Sequence, residues 1–178
     1  MLKAMLAAAA AACCAAGVSA QAPQMPAPGA EQKNLAYFEG TWKMEGQMQA
    51  SPLGPGGPTS GTETCKMFDG RWHLVCDSTG TGPMGPMKGH TLMTYDRSTK
   101  QYRYFAVNNM PDAEMATGGK SGSTWTWTSS MTMEGKTIHS RFVLTETSPT
   151  SYTMKWDMSE DGKKWTPAFE AKATKTGA

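Results

Sequence analysis

The feature that most constrains this chain is an alternation of period two, broken by turn residues about every 8 to 12 positions. In the stretch STWTWTSS, Trp125 and Trp127 share one face with threonines opposite, and in SYTMKWDM the residues Tyr152, Met154, Trp156 and Met158 share another. Successive side chains of a strand point to opposite faces, so this rhythm describes strands with one buried face. Helical periodicity is nearly absent. The pattern predicts strands over 41–50, 60–68, 71–79, 88–95, 101–108, 113–118, 123–132, 137–146, 151–158 and 164–174, preceded by a helical turn over 34–38 with Asn34 as its cap. Short connections fall at Asp69-Gly70, Asp96-Arg97-Ser98-Thr99, Glu134-Gly135, Ser148-Pro149-Thr150 and Glu160-Asp161-Gly162. One longer loop, SPLGPGGPTSG, separates the first two strands and is too rich in Pro and Gly to be a strand itself.

A meander of this length must hide two edges, and closing on itself does so more completely than forming a sandwich. The expected fold is therefore all-β, an up-and-down antiparallel barrel of about 8–10 strands. Such a barrel is either filled by its own side chains or holds one small ligand, and sequence leaves both open. The fifth strand does not say which face points inward, because Tyr102, Tyr104 and Ala106 oppose Arg103, Phe105 and Val107. Aromatic residues spaced two apart on several strands converge when a sheet closes. Trp72, Tyr95, Tyr104, Trp125, Trp127 and Trp156 are thus the candidate ligand-binding residues.

The chain opens MLKAMLAAAAAACCAAGVSA, one lysine, an apolar run and a small-x-small ending, which reads as a secretory signal peptide over 1–20 cut after Ala20. An acylated Cys13 or Cys14 is the alternative, but the preceding alanines lack the usual large aliphatic residue. Residues 21–33 read as a flexible leader and 34–176 as one barrel domain in the periplasm or outside the cell. In that oxidising setting Cys65 and Cys76 are expected to pair. A two-residue turn at Asp69-Gly70 would set Cys65 against Leu74 and Cys76 on the diagonal, so the bridge requires a bulge or a wider loop. Seventeen Lys and Arg against fifteen Asp and Glu, without a basic cluster, argue against nucleic acid. Stable membrane insertion is not expected either, and the protein is read as a monomer or weak dimer.

LAYFEGTWKMEG, the Cys65/Cys76 hairpin with its DGRW, GHTLMTYDRSTKQYRYFAVNN, GSTWTW and MSEDGKKW resemble the DUF1579 family of secreted bacterial proteins, over about Leu35 to Lys175. The family has no established activity. The resemblance implies a calycin-type barrel similar to lipocalins and fatty-acid-binding proteins. In lipocalin-like barrels a Gly-x-Trp opens the first strand, the place held here by Gly40-Thr41-Trp42, and an arginine from a late strand covers the tryptophan. This chain departs from that pattern: its last arginine is Arg141, and the final strand offers Lys172 and Lys175.

Catalytic patterns are weak. ATGGKSG fails as a phosphate loop because Glu114 stands where the first glycine is required. His73, His90 and His139 are isolated in strand-like contexts, Ser121 lacks nucleophile-elbow spacing, and the Glu160-Asp161 pair suits a turn. Among 15 methionines, Met84 and Met87 stand at three-residue steps with His90, a set that could hold Cu(I). A haem with His90 or His139 as axial ligand is the other weak cofactor reading. No cofactor is implied beyond these. The sequence thus supports a non-enzymatic barrel carrying a small apolar ligand, with a solid-barrel interaction or envelope-stress module as the alternative.

Overall fold

The computed structural model describes residues 26–51, 54–110, 113–133 and 135–177. The signal-peptide and lipidation readings, and the start at Gln21, lie outside them. A short helix α1 (Ala30–Asn34) and a 3-10 turn (Leu35–Phe38) lead into ten strands: β1 (Gly40–Met48), β2 (Gly57–Met67), β3 (His73–Gly82), β4 (Gly85–Asp96), β5 (Gln101–Asn108), β6 (Glu114–Ser121), β7 (Thr124–Met133), β8 (Lys136–Ser148), β9 (Ser151–Ser159) and β10 (Thr166–Gly177). Each pairs antiparallel with its sequence neighbours, and β10 returns to β1, so the sheet is a closed up-and-down barrel without an edge.

Several boundaries differ from the sequence reading: β3 runs on to Gly82, β4 starts at Gly85, and three further differences have a local reason. Residues 30–33, assigned to the leader, are helical and follow Gly29, whose N–H is met by the Gln32 side chain at 3.0 Å; Gln32 itself is buried. Asn34 does not cap the turn. Its amide donates instead to the Tyr102 hydroxyl at 3.1 Å, tying α1 to β5. Gly57 to Thr59, read as loop, belong to β2, where Pro58 lies beyond the last β2–β3 pair, Ser60 with Thr81, so its missing N–H breaks no bond to β3.

The β2–β3 connection is wider than a two-residue turn. Phe68 N–H donates to the His73 carbonyl and Arg71 N–H to the Phe68 carbonyl, with Gly70 at φ 81° and Arg71 at φ 58°. This two-residue shift sets Cys65 directly opposite Cys76, and the disulfide forms there. Other turns follow side-chain chemistry. Asp96 Oδ1 accepts from the N–H groups of Ser98 and Thr99, and Asp161 Oδ1 from those of Lys163 and Lys164.

One end of the barrel is plugged. Leu35 and Phe38 of the 3-10 turn sit beneath Trp42, Trp125 and Tyr152, all fully or nearly fully buried. Rings meet at 4.9 Å (Trp42–Tyr152), 5.3 Å (Phe38–Trp125) and 4.8 Å (Tyr102–Trp125). Trp42 Nε1–H donates to the Phe38 carbonyl at 2.7 Å, and Lys175 Nζ stands 4.8 Å from the Trp42 ring centre. A lysine therefore fills the covering role given to arginine in lipocalin-like barrels. Gly118 is the close approach that lets the Trp127 ring lie across β6, since a Cβ there would stand 2.7 Å from the indole.

Candidate functional site

Register defines the inner wall. A row of directly paired residues, Trp127 with Phe142, Phe142 with Trp156, Trp156 with Phe169 and Phe169 with Met48, crosses five strands on the face that also carries buried Trp125. A second row, Cys76, Thr91, Ala106 and Glu114, crosses β3 to β6. Toward the plugged end Trp42, Trp125, Leu144 and Tyr152 are buried, while Met44, Tyr104, Phe142, Met154 and Trp156, in the row or between it and that floor, are only half-buried. Aromatic rings and thioethers on this face would line any space that the closed barrel leaves between them.

The polar groups on this inner face are few. Glu63, on β2 between Gly61 and Cys65, is directly paired with Trp42 on one side and Ser78 on the other. It is half-buried, and burial pushes its carboxyl up to about 7. Glu114 accepts from the Ser129 hydroxyl at 3.3 Å; burial raises its pKa and that bond lowers it. Burial likewise raises the Tyr104 and Tyr152 phenols far above their ordinary range, so both remain neutral donors at any physiological pH. Trp156 Nε1–H donates to Ser140 Oγ at 2.6 Å, and its ring stacks on Phe142 with centres 5.6 Å apart.

Of the six aromatic candidates, the structure brings four together. Tyr104 and Trp127 lie 5.6 Å apart, Trp125 stacks on Trp127 at 6.3 Å, and Trp156 joins them through Phe142. Trp125 is fully buried in the floor, where Nε1–H donates to Glu146 Oε1 at 2.7 Å and Lys120 Nζ stands 5.1 Å from its ring centre. Tyr95 packs on Tyr102 at 5.0 Å and lines a cleft of about 480 Å³ outside the plugged end, with Glu31, Asn34, Lys100 and Lys120. Trp72 lies in the β2–β3 loop at that same end, half-buried. Glu63 and Phe142 were missed by the sequence reading, although Glu63 shares strand parity with Cys65; Met154 was placed on the face of Trp156.

The copper and haem ligand sets do not assemble. Met87 and His90 lie on opposite faces of β4, Met84 is exposed in the preceding turn, and exposed His90 is hydrogen-bonded to Asp77. His139 faces outward and bonds to Ser130 Oγ at 3.1 Å, while His73 bonds to Thr94 Oγ1 at 2.8 Å. Glu63, Cys65 and Cys76 cluster closely enough to hold a metal, but both sulfurs are committed to the disulfide, which leaves a single carboxylate. Among the described residues, no helix is long and apolar enough to cross a membrane.

Comparison with known proteins follows this geometry. Residues 27–175 match the model of a family described as protein of unknown function (DUF1579). No curated protein matches the chain. Among solved structures, the crystal structure of Rv2717c from M. tuberculosis aligns with a TM-score of 0.60 at 10% identity, over 83% of this chain and 98% of that one. The S-type phycobiliprotein lyase CPES from Guillardia theta aligns at 0.57 and 7% identity, over 83% and 93%. A redesigned β-barrel, mFAP0, bound to DFHBI, aligns at 0.43 and 14% identity, over 78% and 99%. At such identities the first two likenesses speak for the fold.

Proposed function

The chain belongs to the DUF1579 family, described as proteins of unknown function, and on that footing we propose that it is a secreted, periplasmic, calycin-type barrel that binds or carries a small apolar ligand. The observation that carries this reading is the accessible surface left on Tyr104, Phe142, Met154 and Trp156 above a fully packed floor. An interior evolved only for stability would fill that volume, because unfilled apolar space forfeits packing energy. Tyr104 and Trp156 are the ligand-facing candidates in this reading, and buried Trp127 backs them. Trp125 and Trp72 support the plugged end, and Tyr95 faces the outer cleft. The disulfide fits an oxidising compartment.

Titration with the neutral fluorescent probe N-phenyl-1-naphthylamine tests the proposal. One saturable site, weakened at least about tenfold in a folded Trp156→Ala variant, is the expected result. Absence of saturable binding refutes it. One structural relative is named a lyase, so the same protein is also recovered from its own periplasm for native mass spectrometry. A carried ligand adds mass. Ligand turned over into a product would make the barrel an enzyme.

A second reading rests on the outer wall. Val75, Leu92, Phe105 and Met115 are directly paired in one row across β3 to β6, with Phe105 42% and Met115 73% exposed. An apolar row of this kind suits a protein-interaction module or a weak dimer. Sedimentation equilibrium on the wild type and Met115→Lys tests it, with concentration-dependent self-association, lost in the variant, as the supporting result.

A further inference from the structure

We infer that the ligand selected by this barrel is a cationic amphiphile, an amine on an apolar tail, with its head seated against Glu63 at the floor of the hollow. The inference rests on the proposal of an apolar ligand and adds its chemical class.

Three features on the page meet at Glu63. The residue faces inward on β2, beside buried Trp42 and the Cys65–Cys76 bridge. Its carboxylate has no hydrogen-bond donor and no cation among the described residues. Each cation that shares the inner face is engaged elsewhere: Lys120 with Glu146 at 2.9 Å, Lys175 over the Trp42 ring, and Lys136, at the rim, with Glu160 at 3.8 Å. Burying a carboxylate without a partner is costly, and proteins pair such groups unless the partner comes from outside.

The surroundings fit an ammonium head. Aromatic faces and thioethers line the volume above, where a hydrocarbon tail would lie. Tyr104 and Tyr152 are close enough to Glu63 to feel its charge, and their neutral hydroxyls add acceptors for an amine's protons. Glu114 supplies a second inward carboxyl. A fatty acid is disfavoured, since its carboxylate would bring a like charge to the Glu63 carboxyl. Burial also sets a pH signature. Trp42 on β1 and Ser78 on β3 are paired beside Glu63, the Tyr104 and Tyr152 phenols that feel its charge stay neutral, and burial raises the Glu114 carboxyl on the same inner face of β6. Amine affinity should therefore rise as pH climbs through about 7.

The test is displacement of N-phenyl-1-naphthylamine by three ligands of equal chain length, dodecylamine, dodecanol and dodecanoate, below their micelle concentrations. At about pH 8 dodecylamine is expected to bind at least about tenfold more tightly than dodecanol, the scale of a charge-assisted hydrogen bond, and dodecanoate more weakly than either. Glu63→Gln should bring dodecylamine to the dodecanol value and leave dodecanol unchanged. On the wild type alone, the amine preference should shrink at about pH 5, which provides the readout if the variant fails to fold. Equal binding of amine and alcohol at about pH 8, tightest binding of dodecanoate, or an amine preference that survives Glu63→Gln would overturn the inference while the carrier reading stands. Failure of the probe and all three ligands to bind would overturn both.

Discussion

Replacing Glu63 by glutamine should stabilise the empty protein, and only above mildly acidic pH. Burial moves the Glu63 carboxyl from its ordinary 4.5 up to about 7. Between these values the folded protein holds a proton that the unfolded chain releases, so stability contributed by this residue falls as pH rises through that window and stays low above it. At about 1.4 kcal/mol per decade of proton affinity the loss amounts to roughly 3 kcal/mol. Glu63 is only half-buried, and solvent screens part of the loss, which makes this an upper value. Glutamine keeps the shape and loses the titration. Urea unfolding at about pH 4, 5.5 and 8 should give Glu63→Gln and wild type nearly equal free energies at the lowest pH, apart from a constant offset for the amide. The variant should gain by about 2–3 kcal/mol at the highest. The raised Glu114 carboxyl is present in both proteins and cancels. Parallel pH profiles would refute the reasoning, because they would mean that the Glu63 carboxylate is fully solvated.

Three further outcomes follow from named contacts. Removing the disulfide by Cys65→Ser with Cys76→Ser should cost about 3 kcal/mol, the entropy of a loop closed across a sequence separation of 11, with reduced wild type falling to the same urea midpoint. Lys175→Met should cost about 0.5–2 kcal/mol by uncovering the Trp42 ring, and an unchanged midpoint would deny the lysine its covering role. Gly118→Ala should cost about 1–3 kcal/mol, because its Cβ would stand 2.4 Å from the Thr126 carbonyl oxygen and 2.7 Å from the Trp127 ring. Gly119→Ala, with nothing within 4 Å, is the matched control in thermal melts.

The strands were legible because alternation and turn chemistry are local. STWTWTSS and SYTMKWDM became β7 and β9 with their faces as read, and Asp96 and Asp161 organise the turns in which they stand. The β2–β3 loop was not legible in the same way. Asp69-Gly70 is a strong two-residue signal, but a left-handed Arg71 widens the turn and moves the register by two. The Pro- and Gly-rich stretch before β2 hid its first residues, since propensity counts Gly57 and Pro58 as breakers while pairing to β1 holds them in the sheet. The inner face of β5 became known only through its partners. Tyr104 opposes Ala116, and Phe105 opposes exposed Met115.

The candidate site was half legible for a physical reason. Aromatic residues at period two mark a wall, but the same pattern serves a filled floor and an open chamber. Which ring does which depends on height along the barrel, and therefore on shear and on what the 3-10 turn inserts below. Leu35 and Phe38 bury Trp125 from beneath, while Trp156, two strands away, is left with surface to offer. Glu63 could have been found from parity with Cys65, and a weighting toward apolar residues passed it over. Yet a carboxyl is the least suitable side chain for a site whose only task is to pack. Local rules that fail without a compensating contact tend to mark function. Glu63 sets a half-buried acid on the inner face with no donor or cation paired to it among the described residues, at the cost that burial imposes on its charged form. That cost is explicable if the missing partner arrives with the ligand: the empty barrel bears an uncompensated acid, and the loaded one does not. The same residue then links stability, pH response and ligand choice, so Glu63→Gln should make the protein sturdier and less selective at once.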